Sequence, residues 1–133
     1  MSENIAAADI NKPTPEQEKA ISAEISSPTV VSAAAGTGKT TMLVERVLRL
    51  ISDVENPVMA DSLVIITFTV NATRHLREKL NTALSERIEK LENPSEREFL
   101  AEQAVRLRSA SISTINSFCL GIIKDNIENL IFP

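Results

Sequence analysis

The segment SAAAGTGKTTM at positions 32–42 constrains this chain more than any other. The 133 residues hold three glycines, and two of them, Gly36 and Gly38, stand two apart and run straight into Lys39, Thr40 and Thr41. Glycine reaches positive φ without a Cβ clash, so this spacing lets successive backbone N–H groups turn inward around an anion. A small residue, four spacers and Gly-Lys-Ser/Thr make a phosphate loop, and here Ala33 takes the first place and Gly38, Lys39 and Thr40 the last three. In that arrangement the backbone from Ala33 through Ala34, Ala35, Gly36, Thr37 and Gly38 to Thr41 cradles a nucleotide triphosphate. Lys39 neutralises the β- and γ-phosphates and the Thr40 hydroxyl holds Mg²⁺. ATP and Mg²⁺ are the cofactors this implies, with Lys39 and Thr40 as the catalytic pair.

Such a loop needs a strand before it and a helix after it, and the flanks supply both patterns. TVVSAA at 29–34 is β-branched and ends in small residues, which predicts a buried strand. After Lys39 the period changes: Leu43, Val47, Leu50 or Ile51, and Val54 fall on one side and Glu45, Arg46 and Arg49 on the other. SLVIITFT at 62–69 is nearly all apolar, as expected of a central parallel strand covered on both faces. Leu76, Leu80, Leu84, Ile88 and Leu91 then mark one long amphipathic helix that Asn93 and Pro94 end. SERE at 95–98 reads as a capping box for a helix reaching about Leu107, ASISTI at 110–115 as a third strand, and 116–131 as a last helix carrying Phe118, Ile122, Ile123, Ile127 and Leu130.

Upstream, Thr14 as cap, Pro15 at the first helical position and Gln17 three residues after the cap predict a helix over about 15–24. Residues 1–12 read as a flexible tail, and 13–133 as a single domain. Strands alternating with helices give an α/β fold with a doubly wound parallel sheet, whose ligands sit at the carboxyl ends of the strands. Three strands are few for that class.

Composition narrows the rest. A net charge of −4 argues against a protein that coats nucleic acid, so any DNA contact is local. With no Trp or Tyr and four Phe, only a phenylalanine can stack on a base. No leader and no apolar run of about 18 residues is present, which points away from secretion and membrane spanning. The one cysteine, Cys119, fits a reducing compartment, so the cytoplasm is the expected location. His75 among helix charges reads as a surface residue, and Cys119 between Phe118 and Leu120 as a core residue. A complete phosphate-loop motor also places an acid at the end of another strand and supplies an arginine finger. Here VIITFT ends in threonine and ASISTIN in asparagine, so neither strand end carries an acid.

Four stretches, TPEQEKAI, VSAAAGTGKTTMLVERVLRLI, VIITFTVNATRHLREKL and ASISTINSFCLGII, come in an order that resembles the amino-terminal part of superfamily 1A DNA helicases of the UvrD/RecB type. Within that family the likeness is strongest to the AddA branch of bacterial helicase-nucleases. The stretches are similar to the family's Q motif, phosphate loop, motif Ia and motif Ib, and they span most of Thr14 to Ile123. The resemblance implies a RecA-like phosphate-loop NTPase fold, three layers around a parallel sheet, present here as the incomplete N-terminal part of the first helicase domain. It implies that Gln17 reads the adenine edge of ATP. It also implies that Thr67, Phe68 and Thr69 face single-stranded DNA, with Ser113, Thr114 and Ser117 continuing that track. Partners implied are single-stranded DNA and the remainder of a helicase or an AddB-like subunit. The chain departs from the family's pattern at Val70 to Leu76, where several alanines and Glu-Met are usual, and at Asn116, where histidine is usual.

Two hypotheses remain: an ATP-binding segment of a DNA helicase, inactive in hydrolysis and unwinding by itself, and a non-enzymatic module that binds nucleotide or a partner chain. Phe68 has an alternative place in the core, and Gln17 an alternative role as the helix-start cap. An unrelated phosphate-loop kinase fits neither motif Ia nor motif Ib.

Overall fold

A computed structural model describes residues 12–34, 36 and 38–127. The predicted tail up to residue 11, and the predicted helical residues past 127, lie outside these. Five α-helices and two strands follow in the order α1 (Pro15–Ile21), α2 (Lys39–Ser52), β1 (Val64–Thr67), α3 (Val70–Lys90), α4 (Pro94–Leu107), β2 (Ser111–Thr114) and α5 (Ile115–Asp125). A single 3-10 turn, Ala60–Ser62, leads into β1.

The two strands pair in parallel, Val64 beside Ser111 through Thr67 beside Thr114, joined by a crossover through α3 and α4. A parallel pair requires such a crossover. Two predicted features do not form. Residues 28–34 make neither helix nor strand, and Val30 is 93% exposed. A β-branched run becomes a strand only with a neighbour to share its ladder, and β1 and β2 take each other. Nor is β1 covered on both faces: Ile65 packs on the core, whereas Val64 and Ile66, pointing the other way, are 54% and 44% exposed.

The core lies on the Ile65 and Ile112 side. Val44, Val47, Leu48 and Ile51 of α2 meet Leu76, Leu80 and Leu84 of α3 and Leu100 and Leu107 of α4. The buried stripe of α2 is thus turned from the predicted one, with Leu43 at its margin and Val54 exposed beyond the helix end. Buried leucines four residues apart stack on one face of α3, as the sequence period requires.

Side chains set the boundaries. Thr14 and Gln17 form the predicted capping box, although α1 stops at Ile21, short of 24. The cap of α4 is Asn93, whose Oδ1 accepts from Ser95 N at 2.9 Å, with Pro94 at the first helical position. SERE therefore lies inside the helix, and Pro94 starts α4, whereas α3 already stops at Lys90 with Leu91 as its C-cap, short of the predicted end at Asn93 and Pro94. Gln103 is 1% exposed: its Oε1 accepts the Ala60 N–H at 2.9 Å and its Nε2 donates to Val58 O at 3.4 Å, pinning the turn that feeds β1. Nearby, Arg106 pairs with Glu102 and Asp61, and the hydrogen bond to Glu102 raises its pKa. The predicted last helix starts one residue early and buries no side chain, so Cys119 is exposed rather than in the core.

Candidate nucleotide site and nucleic-acid edge

The glycine loop meets α2 with the geometry its sequence requires. Gly36 and Gly38 have φ of 78° and 82°, and every other described residue keeps φ negative. Gly38 is itself the N-cap of α2, in left-handed conformation. Lys39 folds back over the loop, its Nζ donating to Ala33 O at 3.0 Å. The cation is thus held at the loop's mouth, on an exposed side chain.

The start of α2 differs from those of the other four α-helices. Thr14, Thr69, Asn93 and Thr114 each accept a first-turn N–H with the side chain, whereas α2 has no side-chain cap; like α3 and α5, it also has no acid in its first turn. Four amides at any helix start need partners from outside the helix, and the macrodipole there favours negative charge. A phosphate supplies both. A Cβ placed on Gly36 would meet nothing within 4 Å, so the space above the loop is open. Thr40 and Thr41 stand exposed in the same first turn. Ala35 and Thr37 lie outside the described residues, and Ala33, Ala34 and Ser32 are exposed.

Gln17 adjoins this loop. Its Oε1 accepts from Thr14 N at 2.9 Å, so the helix-start role holds, and its Nε2 lies 3.6 Å from where a Cβ on Gly38 would be. Thr14, Gln17, Ala33, Lys39 and Met42 line one cleft of about 330 Å³. The structure therefore brings Gln17 and the loop residues together.

The residues of motifs Ia and Ib gather at a second edge, the carboxyl end of the paired strands. Thr67 and Thr114 lie side by side in register, and the chain turns from each into a helix capped by Thr69 or by Thr114 itself. Phe68 projects between β1 and α3, 95% exposed, so the core alternative for it fails. Thr69 Oγ1 accepts from Ala72 N at 3.1 Å, and Thr114 Oγ1 accepts from Ser117 N at 3.2 Å and donates to Ser117 Oγ at 3.0 Å. Two hydroxyls turn elsewhere. Thr67 Oγ1 sits 2.6 Å from Thr73 Oγ1, and Ser113 Oγ is enclosed with no partner. The departure at Thr73 thus ties the strand end to α3, a role nothing in the sequence signals. Arg46, read from the sequence only as helix polarity, and Arg77 also hold the fold together: each guanidinium donates to main-chain carbonyls, Arg46 to the end of α1 and Arg77 to Ile112 O at 2.8 Å.

His75 is exposed, as expected of a surface residue, and no group of three or more His, Cys, Asp or Glu among the described residues could hold a metal ion. No helix among them is long and apolar enough to cross a membrane.

Residues 13–132 match the UvrD/REP helicase N-terminal domain, and the chain belongs to that family of DNA helicases. Within it, several relatives are the A (AddA) subunits of ATP-dependent helicase/nucleases. The chain is 46% identical over 101 residues to the AddA subunit from Ruminiclostridium cellulolyticum, a match covering 76% of this chain and 8% of that one. Against its counterpart of the same name from Clostridium perfringens SM101 the identity is 46% over 113 residues, 85% of this chain and 9% of that one. For Acetivibrio thermocellus it is 45% over 117 residues, 88% and 9%. This chain spans less than a tenth of the length of these relatives.

Proposed function

We propose that this chain is the ATP-binding segment of an ATP-dependent DNA helicase of the AddA kind, with a RecA-like phosphate-loop fold begun but not closed by the residues described. The observation that carries the reading is the start of α2, which has no side-chain cap and has left-handed Gly38 as its N-cap just past left-handed Gly36, with Lys39 drawn to Ala33 O. Ala33 to Thr41 hold the triphosphate, Lys39 exchanging its carbonyl partner for phosphate oxygens, and the Thr40 hydroxyl is the ligand this chain offers to Mg²⁺. Gln17 reads the base. Bound Mg²⁺ would supply charge neutralisation between phosphates.

Single-stranded DNA is proposed to cross the carboxyl edge of β1 and β2, stacking a base on Phe68 and setting phosphates near Thr69, Thr114 and Ser117 at two helix starts. An AddB-like subunit, or the remainder of a helicase, is the proposed partner, and the cytoplasm the proposed location. The relatives' name, ATP-dependent helicase/nuclease, supports ATP dependence and the helicase-nuclease setting.

Because neither strand end carries an acid, this chain is expected to bind Mg-ATP weakly and not to turn it over. Calorimetry of Mg-ATP against wild type and Lys39→Ala tests this: binding by the first and at least about tenfold weaker binding by the second is expected, since a charged hydrogen bond is at stake. Sustained turnover abolished by Lys39→Ala would contradict the inactive reading. The second reading, a module that acts by association, is favoured by the open Val64 and Ile66 face and by α5, which buries nothing. Absence of any heat with Mg-ATP leaves that reading standing.

A further inference from the structure

The helix that carries Gln17 is seven residues long, too short to persist without support. Its support comes from α2. Arg46 Nη1 donates to Ala20 O at 2.8 Å, Ala23 O at 2.9 Å and Ile21 O at 3.2 Å, the carbonyls at and just past the end of α1. Those carbonyls have no helical partner, and the end that bears them carries the negative pole of the helix. A guanidinium brings a fixed charge and several N–H donors to one place, and here Nη1 is shared among the three carbonyls. Glu18 and Arg49 add a second link between the same helices, half-exposed and of small worth. Ile21 is buried beneath the junction.

Arg46 lies two turns past Lys39 in α2, the helix whose N-cap is Gly38, so one helix holds both Arg46 and the last residue of the loop. Whatever fixes α1 to Arg46 therefore fixes Gln17 relative to Gly38. At the loop end that relation is close, with Gln17 Nε2 3.6 Å from a Cβ position on Gly38. A side-chain amide carries two acceptor sites on its oxygen and two donors on its nitrogen, and Thr14 N bonds the Gln17 oxygen. An amide with one donor and one acceptor side matches adenine's N6-H and N7 and mismatches guanine, which presents two acceptors there.

We propose that Arg46 is a positioning residue for base selection: by clamping the end of α1 onto α2 it sets where the Gln17 amide stands over the loop, and so discriminates adenine from guanine nucleotides without touching either. This rests on the nucleotide reading above, and the test separates the two. The whole chain, as wild type, Arg46→Met, Arg46→Lys and Gln17→Ala, is titrated by calorimetry with Mg-ATP, Mg-GTP and magnesium tripolyphosphate. Wild type prefers ATP by about tenfold, one hydrogen-bonded pair's worth. Arg46→Met brings the ratio to about one while tripolyphosphate binding stays within about twofold, Arg46→Lys, which keeps the charge without the fork, falls between, and Gln17→Ala removes the preference. A wild type without preference, an Arg46→Met that keeps the wild-type ratio, or one that loses tripolyphosphate together with ATP overturns the positioning role alone. A wild type that binds neither ATP nor tripolyphosphate removes the nucleotide reading and this inference with it.

Discussion

Gln103 and Phe68 carry opposite burdens. Gln103 gives its amide to the Ala60 N–H and Val58 O inside the core, so Gln103→Leu would leave that N–H buried without an acceptor. We expect a loss of about 1–3 kcal/mol of stability, read as a lower midpoint in urea. An unchanged midpoint would show that water reaches Ala60 N. Phe68 is 95% exposed, so Phe68→Ala should leave the midpoint within about 0.5 kcal/mol of wild type. If a base stacks there, the same variant loses about 1–3 kcal/mol of affinity for labelled single-stranded DNA, measured by anisotropy. Equal affinities for both proteins would remove Phe68 from the DNA edge. At this scale the left-handed turns at Gly36 and Gly38 were legible, because glycine alone takes positive φ freely. Gln103, Arg46 and Thr73 were not, since each looks like ordinary helix polarity until the chain segment it bonds is known to be near.

Among the elements, helices with a local signature matched and those decided by neighbours did not. The Thr14–Gln17 box and the leucine ladder of α3 involve residues three or four apart, and both form, although Leu91, read as the last rung, is the C-cap of α3. The start of α4 was read from SERE, yet Asn93 takes the cap because Pro94 already fixes φ for the first helical position. Asn93→Ala should therefore cost about 1 kcal/mol in thermal or urea unfolding, and Ser95→Ala a few tenths at most. The reverse order would restore Ser95 as the cap. The run 29–34 has strand composition and no strand, because a ladder partner is a property of the fold and not of the run. Its last residues still reach the loop, where Ala33 O receives Lys39.

For the molecule as a whole, one face of the sheet packs on the core and the other is only partly covered, with Ser113 Oγ enclosed but Val64 and Ile66 exposed. Val64, Ile66, Leu120, Ile122 and Ile123 are all exposed, an apolar surface that in a three-layer fold would lie under helices. The α/β class and the parallel pairing were readable because strands and helices alternate, while the number of strands was not, since pairing is settled only in three dimensions. Both the Val64 and Ile66 face and the loop are candidate sites of action, and the proposed function requires the loop to be the one that takes nucleotide. An amide-resolved NMR titration of the chain with Mg-ATP distinguishes them. The account predicts the largest shifts at Gly36, Gly38, Lys39 and Thr40, with smaller ones at Thr14 and Gln17. Shifts confined to Val64, Ile66 and α5, or none at the loop at saturating nucleotide, would contradict it.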